Sequence, residues 1–316
     1  MKRSLSYTIK KAVMRVLGKR MVRCIINYNV NRNYASSRLK KLLLTFLYIV
    51  PGFISYFKST IPYIEMDVTT RCSLNCKECT HLIPVYNSRG IAGDYDIATL
   101  LENIDLLLSK VNKCLMFRIT GGEPFIYDKL PEVLNKLAGE PKIKNVEIAT
   151  NGTVLPCNDT LKALCHSKFS VSVSNYEALS KSKDEIFRIC TELGINVKIS
   201  DLLWYETNSL VLRNYTKKEI KSVFFNCIGS EFKFLYEGKL WLCPQAMHGS
   251  LLGLLSENES EYIDLRKSSK KGFRKQLNNL YRYSDKITSC RYCTGVCPEF
   301  SKQIPCAEQA DRSIAI

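Results

Sequence analysis

The sequence predicts an α/β fold built on a parallel sheet, curled or open, and three observations carry that expectation. Short apolar, β-branched runs recur along the middle of the chain. Helical patterns, or loops followed by helices, separate them, and a distinctive motif follows each of the first four runs. At 316 residues with 46% apolar side chains, the chain has material for a catalytic core and one modest appendage.

Taken in order, the first 60 residues form a leader. They hold 13 basic residues and no acidic one, while the whole chain carries 46 Lys and Arg against 30 Asp and Glu, a formal charge of +16. Turned at about 100° per residue, "SYTIKKAVMRVLGKRMVRCII" (6–26) gathers Ile9, Ala12, Val13, Val16, Leu17 and Cys24 on one side. Lys11, Arg15, Lys19 and Arg23 fall on the other, and Arg20 intrudes on the apolar side. The later stretch "LKKLLLTFLYIVPGFISYFK" is shorter in apolar run than the ~20 residues of a spanning helix, and Pro51-Gly52 breaks it. Two readings of the leader stand: helices packed on the core with solvated lysines, or a basic face docked on an anionic membrane surface. No helix-turn-helix, RNP or zinc-finger pattern accompanies the charge, so nucleic acid is not an expected partner. No secretory pattern opens the chain. Its 14 cysteines are therefore expected as reduced, metal-binding thiols in a cytoplasmic protein, peripheral at most at the inner face of a membrane.

From residue 61 the pattern alternates. Strands are expected at 63–70, 114–120, 145–150, 169–174 and 196–200. Helices are expected at 96–111 from an acidic cap, at 128–140 stopping at Gly139, and at 180–194 closing on Gly194. Ligands of such sheets bind at the carboxyl ends of strands. There the chain places "CSLNCKECTHL" (72–82), "TGGEP" (120–124), "TNGT" (150–153) and "SVSNY" (172–176), which should meet on one rim.

Cys72, Cys76 and Cys79 are a compact C-x3-C-x2-C triad. Structural zinc takes four closed ligands, and an electron-transfer [4Fe–4S] cluster takes four thiolates, so three thiolates leave one position open. A triad in the loop after a first strand resembles the signature of the radical S-adenosylmethionine (SAM) superfamily. The resemblance implies a partial (β/α)6 barrel of parallel strands, to which this chain is expected to add a small C-terminal cysteine-rich α+β extension and an N-terminal basic helical leader. It further implies a [4Fe–4S] cluster whose open iron is chelated by SAM, and reductive cleavage of SAM to a 5′-deoxyadenosyl radical. The electron would come from a donor such as flavodoxin or ferredoxin.

In the same resemblance Gly121, Gly122 and Glu123 hold the SAM amino group, the glycines allowing close backbone approach. Asn151, Ser172 and Ser174 fall where related enzymes contact the ribose or carboxylate. One position departs, because Glu78 stands where the family has an aromatic residue beside adenine.

Further along, "CIGSEFKFLYEGKLWLC" spaces Cys227, Gly238 and Cys243 about a "YEGK" hairpin, and "CRYC" supplies Cys290 and Cys293. Four such thiols suit a zinc site or a complete cluster. The hairpin spacing resembles the SPASM/twitch extensions of radical SAM enzymes, which implies a second, auxiliary [4Fe–4S] cluster on Cys227, Cys243, Cys290 and Cys293. Cys297 and Cys306 are spares or substitutes for one of the four.

The expected domains are then 1–60, 61–220 and 221–316. Cys24, Cys114, Cys157, Cys165 and Cys190 are expected as small core residues. No catalytic residue is assigned, and His81 and His248 receive no role. The expected activity is of oxidoreductase type, a hydrogen abstraction from a sugar-like or cell-envelope intermediate. A peptide-modifying maturase is the alternative enzyme, and a non-catalytic zinc-binding interaction module is the reading from another class.

Overall fold

The structure, a computed structural model, describes residues 18–28, 54, 56–207, 210–297 and 301–311. Residues 6–17 of the helix expected over 6–26, and residues 42–53 of the apolar run between Lys41 and Lys58, lie outside the described residues.

A helix, α1 (Lys19–Tyr28), precedes the core. The core runs β1 (Thr60–Ile61), β2 (Ile64–Asp67), α2 (Ile83–Ser88), α3 (Ile97–Lys110), β3 (Lys113–Cys114), β4 (Phe117–Thr120) and α4 (Leu130–Ala138). It continues through β5 (Val146–Thr150), α5 (Asn158–Leu164), β6 (Phe169–Ser174), α6 (Lys183–Glu192) and β7 (Asn196–Ser200). Then come β8 (Trp204–Tyr205), α7 (Lys217–Asn226), β9 (Lys233–Tyr236), β10 (Lys239–Trp241) and α8 (Pro244–Leu251). The chain finishes through β11 (Tyr262–Asp264), α9 (Lys270–Leu280) and β12 (Gln303–Ile304).

One eight-stranded sheet, ordered β11-β10-β9-β2-β4-β5-β6-β7, organises the molecule. All five strands expected from the sequence pair in parallel and in chain order. The sixth parallel strand is β9, which joins the free side of β2 through Ile64↔Lys233 and Glu65↔Phe234. The expected hairpin thus prolongs the core sheet across residue 221 rather than standing apart from it. Glu237 and Gly238 both take positive φ (47° and 70°) at its turn, the geometry whose twist matches paired strands. The sheet ends at β7 and β11, so it is curled and open.

Side-chain alternation explains the two faces. Ile64 and Met66, Phe117 and Ile119, Val146 and Ile148, and Phe169, Val171 and Val173 all enter one core beneath the helices. The residues between them, among them Glu65, Arg118, Thr120, Ala149 and Ser174, line an inner cavity. Parallel strands ordinarily bury apolar side chains on both faces, so a polar inner face marks the side that receives a ligand. Helix α3 shows the local logic: Asp96 accepts from Thr99 N at 2.9 Å as its N-cap, worth about 1 kcal/mol, and Leu100, Ile104, Leu107 and Leu108 form its buried stripe.

Helix α1 departs from the expected solvated basic face. Lys19 and Arg20 are only 3% and 2% exposed. The Lys19 ammonium donates to Phe224 O (2.8 Å), Cys227 O (3.2 Å) and Ser230 Oγ, meeting the carbonyls that α7 leaves unpaired at its C-terminus. Arg20 donates to Tyr56 O, Lys58 O, Thr60 O and Asn278 Oδ1, and Arg23 pairs with Glu231. Cys24, Cys114 and Cys190 are buried as expected, but Cys157 and Cys165 are exposed. They flank the short helix α5 as its cap residues, where the chain turns outward.

Candidate active site

The loop that follows β2 is held from both sides. Thr69 Oγ1 donates to Asp94 Oδ1 at 2.7 Å, and Arg71 grips the same carboxylate with two hydrogen bonds of 2.8 and 2.7 Å. On the other side Gly122 N donates to Thr69 O (2.8 Å) and Glu123 N to Arg71 O (2.9 Å). Both glycines are required by that approach: a Cβ on Gly121, at φ +131°, would lie 2.4 Å from Thr69 O, and one on Gly122 would lie 2.0 Å from Arg71 O. The glycine-rich turn therefore clamps the cysteine loop itself.

The four motifs do meet on one rim. A cavity of ≈ 570 Å³ is lined by Cys72, Cys76 and Cys79, by Gly121, Gly122, Asn151 and Ser174, and by Cys227, Cys243, Cys290 and Cys293. Glu123 and Ser172 are not among its lining residues. Glu123 is fully buried and accepts from Thr150 Oγ1 (2.8 Å), Asn151 N (2.7 Å) and Phe125 N (3.1 Å), which ties the glycine turn to the strand β5 loop. Burial pushes its carboxyl up to about 7 in spite of those donors.

Burial also pushes the Cys72 and Cys79 thiols up to about 12 and Cys76 to about 11. Such thiols ionise when a bound cation replaces the lost water. Polar N–H groups already address the sulfurs: Leu74 N and Asn151 Nδ2 approach Cys72 Sγ at 3.4 and 3.5 Å, and Gln309 Nε2 reaches Cys76 Sγ at 3.3 Å. Val296 N does the same for Cys227 Sγ at 3.4 Å. Donors to sulfur are what tune an iron–sulfur centre.

The second set gathers in the same way. Cys227, Cys243, Cys290 and Cys293 all line the cavity, and burial pushes the Cys293 thiol up to about 12. Cys297 is buried away from the cavity, and Cys306 donates to Leu202 O at 2.7 Å. Spacing separates a cluster from a single ion. Four sulfurs around one zinc stand about 3.8 Å apart, the tetrahedral edge for Zn–S of about 2.3 Å. Among the described residues, the trio of Cys, His, Asp or Glu whose ligand atoms all lie within 4.8 Å of one another is Asp67, His81 and His248, and no cysteine belongs to it. No three cysteine sulfurs among the described residues lie within 4.8 Å of one another.

Three features of the site have little signal in the sequence. Residues 307–310 lie along the cysteine loop, with Lys77 N donating to Glu308 O, Asn75 N to Gln309 Oε1 and Ala310 N to Asn75 O. Tyr176 and Trp204, edge to face at 5.8 Å, pack against the buried cluster of Leu74, Cys76 and Ala307. Glu78, in the left-handed region at φ 56°, accepts from Thr207 N and Oγ1 instead of presenting a ring. Of these only Tyr176, inside "SVSNY", could have been picked out by its motif. Beyond these three lies the Asp67 cluster, placed by the last residue of β2. Burial alone would raise the Asp67 carboxyl, but the charge and hydrogen bond of His81 and the adjacent His248 imidazole hold it well below the usual carboxylate range.

No protein-family model matches the chain. Among curated proteins it is 29% identical over 175 residues to a GTP 3′,8-cyclase of Syntrophomonas wolfei, covering 51% of this chain and 49% of that protein. It is 27% identical to a GTP 3′,8-cyclase of Aquifex aeolicus, covering 54% and 55%. It is 30% identical to a 7,8-dihydro-6-hydroxymethylpterin dimethyltransferase of Methanocaldococcus jannaschii, covering 45% and 27%. The chain spans about half the length of the curated cyclases it matches. Among solved structures it is similar to BtrN in complex with AdoMet and 2-DOIA (18% identity, 76% of this chain and 94% of that one, TM-score 0.42). It is also similar to Streptococcus suis SuiB bound to S-adenosylmethionine (17%, 54% and 39%, TM-score 0.35). No helix among the described residues is long and apolar enough to cross a membrane. The GTP 3′,8-cyclases are radical SAM enzymes, and through its core this chain resembles the radical SAM superfamily.

Proposed function

We propose that the chain is a radical SAM enzyme that takes a hydrogen atom from a sugar-like or cell-envelope intermediate in a net oxidation. One observation carries the reading: a single cavity is lined both by the Cys72, Cys76 and Cys79 triad and by Cys227, Cys243, Cys290 and Cys293. The triad would hold a [4Fe–4S] cluster with one iron open to SAM, and the other four thiols an auxiliary cluster. When bound, cluster and SAM together supply the radical chemistry.

The chain's own residues do the rest. Gly121 and Gly122 fix the cysteine loop, Asn151 steadies Cys72, and the rings of Tyr176 and Trp204 offer adenine the aromatic wall that Glu78 does not. Phe232 and Phe234 exclude water from the far wall. Glu65 and Arg118 give the cavity a charged floor, held from behind: Arg118 lies 3.1 Å from Glu147 and 3.1 Å from the Tyr63 hydroxyl, and Lys198 lies 2.6 Å from Glu147. Such a floor suits a hydroxyl-rich substrate. Leu202 and Leu203, exposed where they line the cavity, favour the second reading, a peptide substrate.

The test is anaerobic reconstitution with iron and sulfide, followed by an assay for 5′-deoxyadenosine from SAM and dithionite beside Cys76→Ala. About eight irons per chain, as two four-iron clusters require, with product lost in the variant, is the expected result. A colourless protein that binds zinc and leaves SAM intact would sink the proposal.

A further inference from the structure

Asp67, His81 and His248 come from three separate elements and meet at the base of the cysteine loop. Asp67 ends β2, His81 precedes α2, and His248 lies within α8. His81 Nδ1 is 3.0 Å and His248 Nε2 is 2.9 Å from the same oxygen, Asp67 Oδ2, and the ligand atoms of all three lie within 4.8 Å of one another. Asp67 is 1% and His248 0% exposed at the side chain.

A hydrogen-bonded ion cluster explains only part of this arrangement. His81 and Asp67 share a hydrogen bond, but His248 Nε2, although within 2.9 Å of the carboxylate, has no hydrogen-bond partner, and neither has the other carboxylate oxygen, Oδ1. Buried polar atoms of this kind are ordinarily satisfied. A nitrogen close to an oxygen yet off the line of a hydrogen bond is what two donor atoms aimed at a common third point produce. Outside that trio, His248 Nδ1 lies 3.0 Å from the Tyr86 hydroxyl, the outer contact that orients a metal-bound imidazole. His81 lines the cavity, so the trio adjoins the space where a substrate would sit.

We infer that Asp67, His81 and His248 form a mononuclear site for a divalent first-row metal ion, with an open coordination position toward the cavity. Two imidazoles and one carboxylate without thiolate are the donor set of open zinc and iron(II) sites. The site differs in kind from the cysteine sets, because none of its three ligands is a thiolate. An ion here would bind and polarise a substrate oxygen beside the SAM-binding rim.

The experiment uses the full chain with its cysteines loaded anaerobically with iron and sulfide, then exposed to zinc chloride and desalted. Zinc and iron are counted, and the zinc X-ray absorption edge reads the ligand shell. One zinc per chain is expected, with nitrogen and oxygen at about 2.0–2.1 Å and no sulfur at about 2.3 Å. Asp67→Asn and His248→Gln should each lose about ten-fold or more of zinc affinity with iron and sulfide unchanged. If one variant fails to hold iron, the other and His81→Gln carry the comparison. The site is overturned if the iron-loaded wild type retains no zinc, if its zinc is bound by sulfur, or if the iron-retaining variants bind zinc as the wild type does.

Discussion

Gln309 donates its side-chain amide to the sulfur of Cys76 at 3.3 Å across 233 residues of chain. The same side chain accepts from Asn75 N at 2.7 Å, so a single residue near the end of the described chain both positions the cysteine loop and addresses its sulfur. Outer-layer groups of this kind typically carry about 10- to 100-fold in metal affinity or activity. Gln309→Ala is expected to lower SAM cleavage by about ten-fold or more while leaving the fold intact. Wild-type cleavage rates, with wild-type iron content, would show that the contact has no part in the site.

Gly122 is the tightest point of the clamp. A methyl group there would meet Arg71 O at 2.0 Å and the Arg71 carbonyl carbon at 2.5 Å, so the cysteine loop must move. Gly122→Ala should cost at least about 1–3 kcal/mol and should drop iron from about eight to about four per chain as the triad loses its cluster. Gly139→Ala, whose new methyl would find nothing nearer than 3.7 Å, is the control. Equal iron in both variants would mean that the clamp is dispensable.

Glu123 gives a pH dependence with a definite sign. Its carboxyl titrates near 7 in the folded chain against 4.5 ordinarily, because burial disfavours its charge. Between those values the folded chain binds more protons than the unfolded one. The stabilising contribution is full below about 4.5 and is lost as the pH rises through about 7, by up to about 3 kcal/mol. Urea midpoints of the iron-free chain are compared with those of Glu123→Gln from pH ~5 to ~8. The advantage of the wild type should shrink with rising pH; a constant difference contradicts the assignment.

Lys19 anchors α1 on the carbonyls that end α7, directly before Cys227. Lys19→Met removes a charged donor from buried acceptors and should lower stability by about 1.5–3 kcal/mol. Urea denaturation measures that loss, and iron counted after desalting should fall on the Cys227 side. An unaltered urea midpoint would mean that α1 does not dock where the structure places it.

Much of the architecture was legible in the chain. The strands at 169–174 and 196–200 appear with the bounds expected, and the acidic cap of α3 is Asp96. Periodicity and caps report local structure because they record what one element presents to its surroundings. Tertiary pairing is another matter. The backbone hydrogen bonds that join β9 to β2 are made by groups every residue possesses, so nothing in "KFLY" says which strand edge it will meet. A helical wheel puts Lys19 on the polar face, but a wheel takes no account of the open carbonyls of a helix about two hundred residues away.

The sequence by itself determined the chemistry available: three thiols in a short loop after a strand, glycines at the next strand end, and four more thiols about a hairpin and a CxxC. Residue type and spacing suffice for that, because ligand number and loop length are local quantities. Tertiary structure decided what those groups surround. It set both cysteine sets on one cavity, turned Glu123 inward and Gln309 onto a sulfur, and drew Asp67, His81 and His248 together. Those relationships depend on which faces pack and which edges pair, and the free energy that selects them is shared over the whole core rather than written in any one segment.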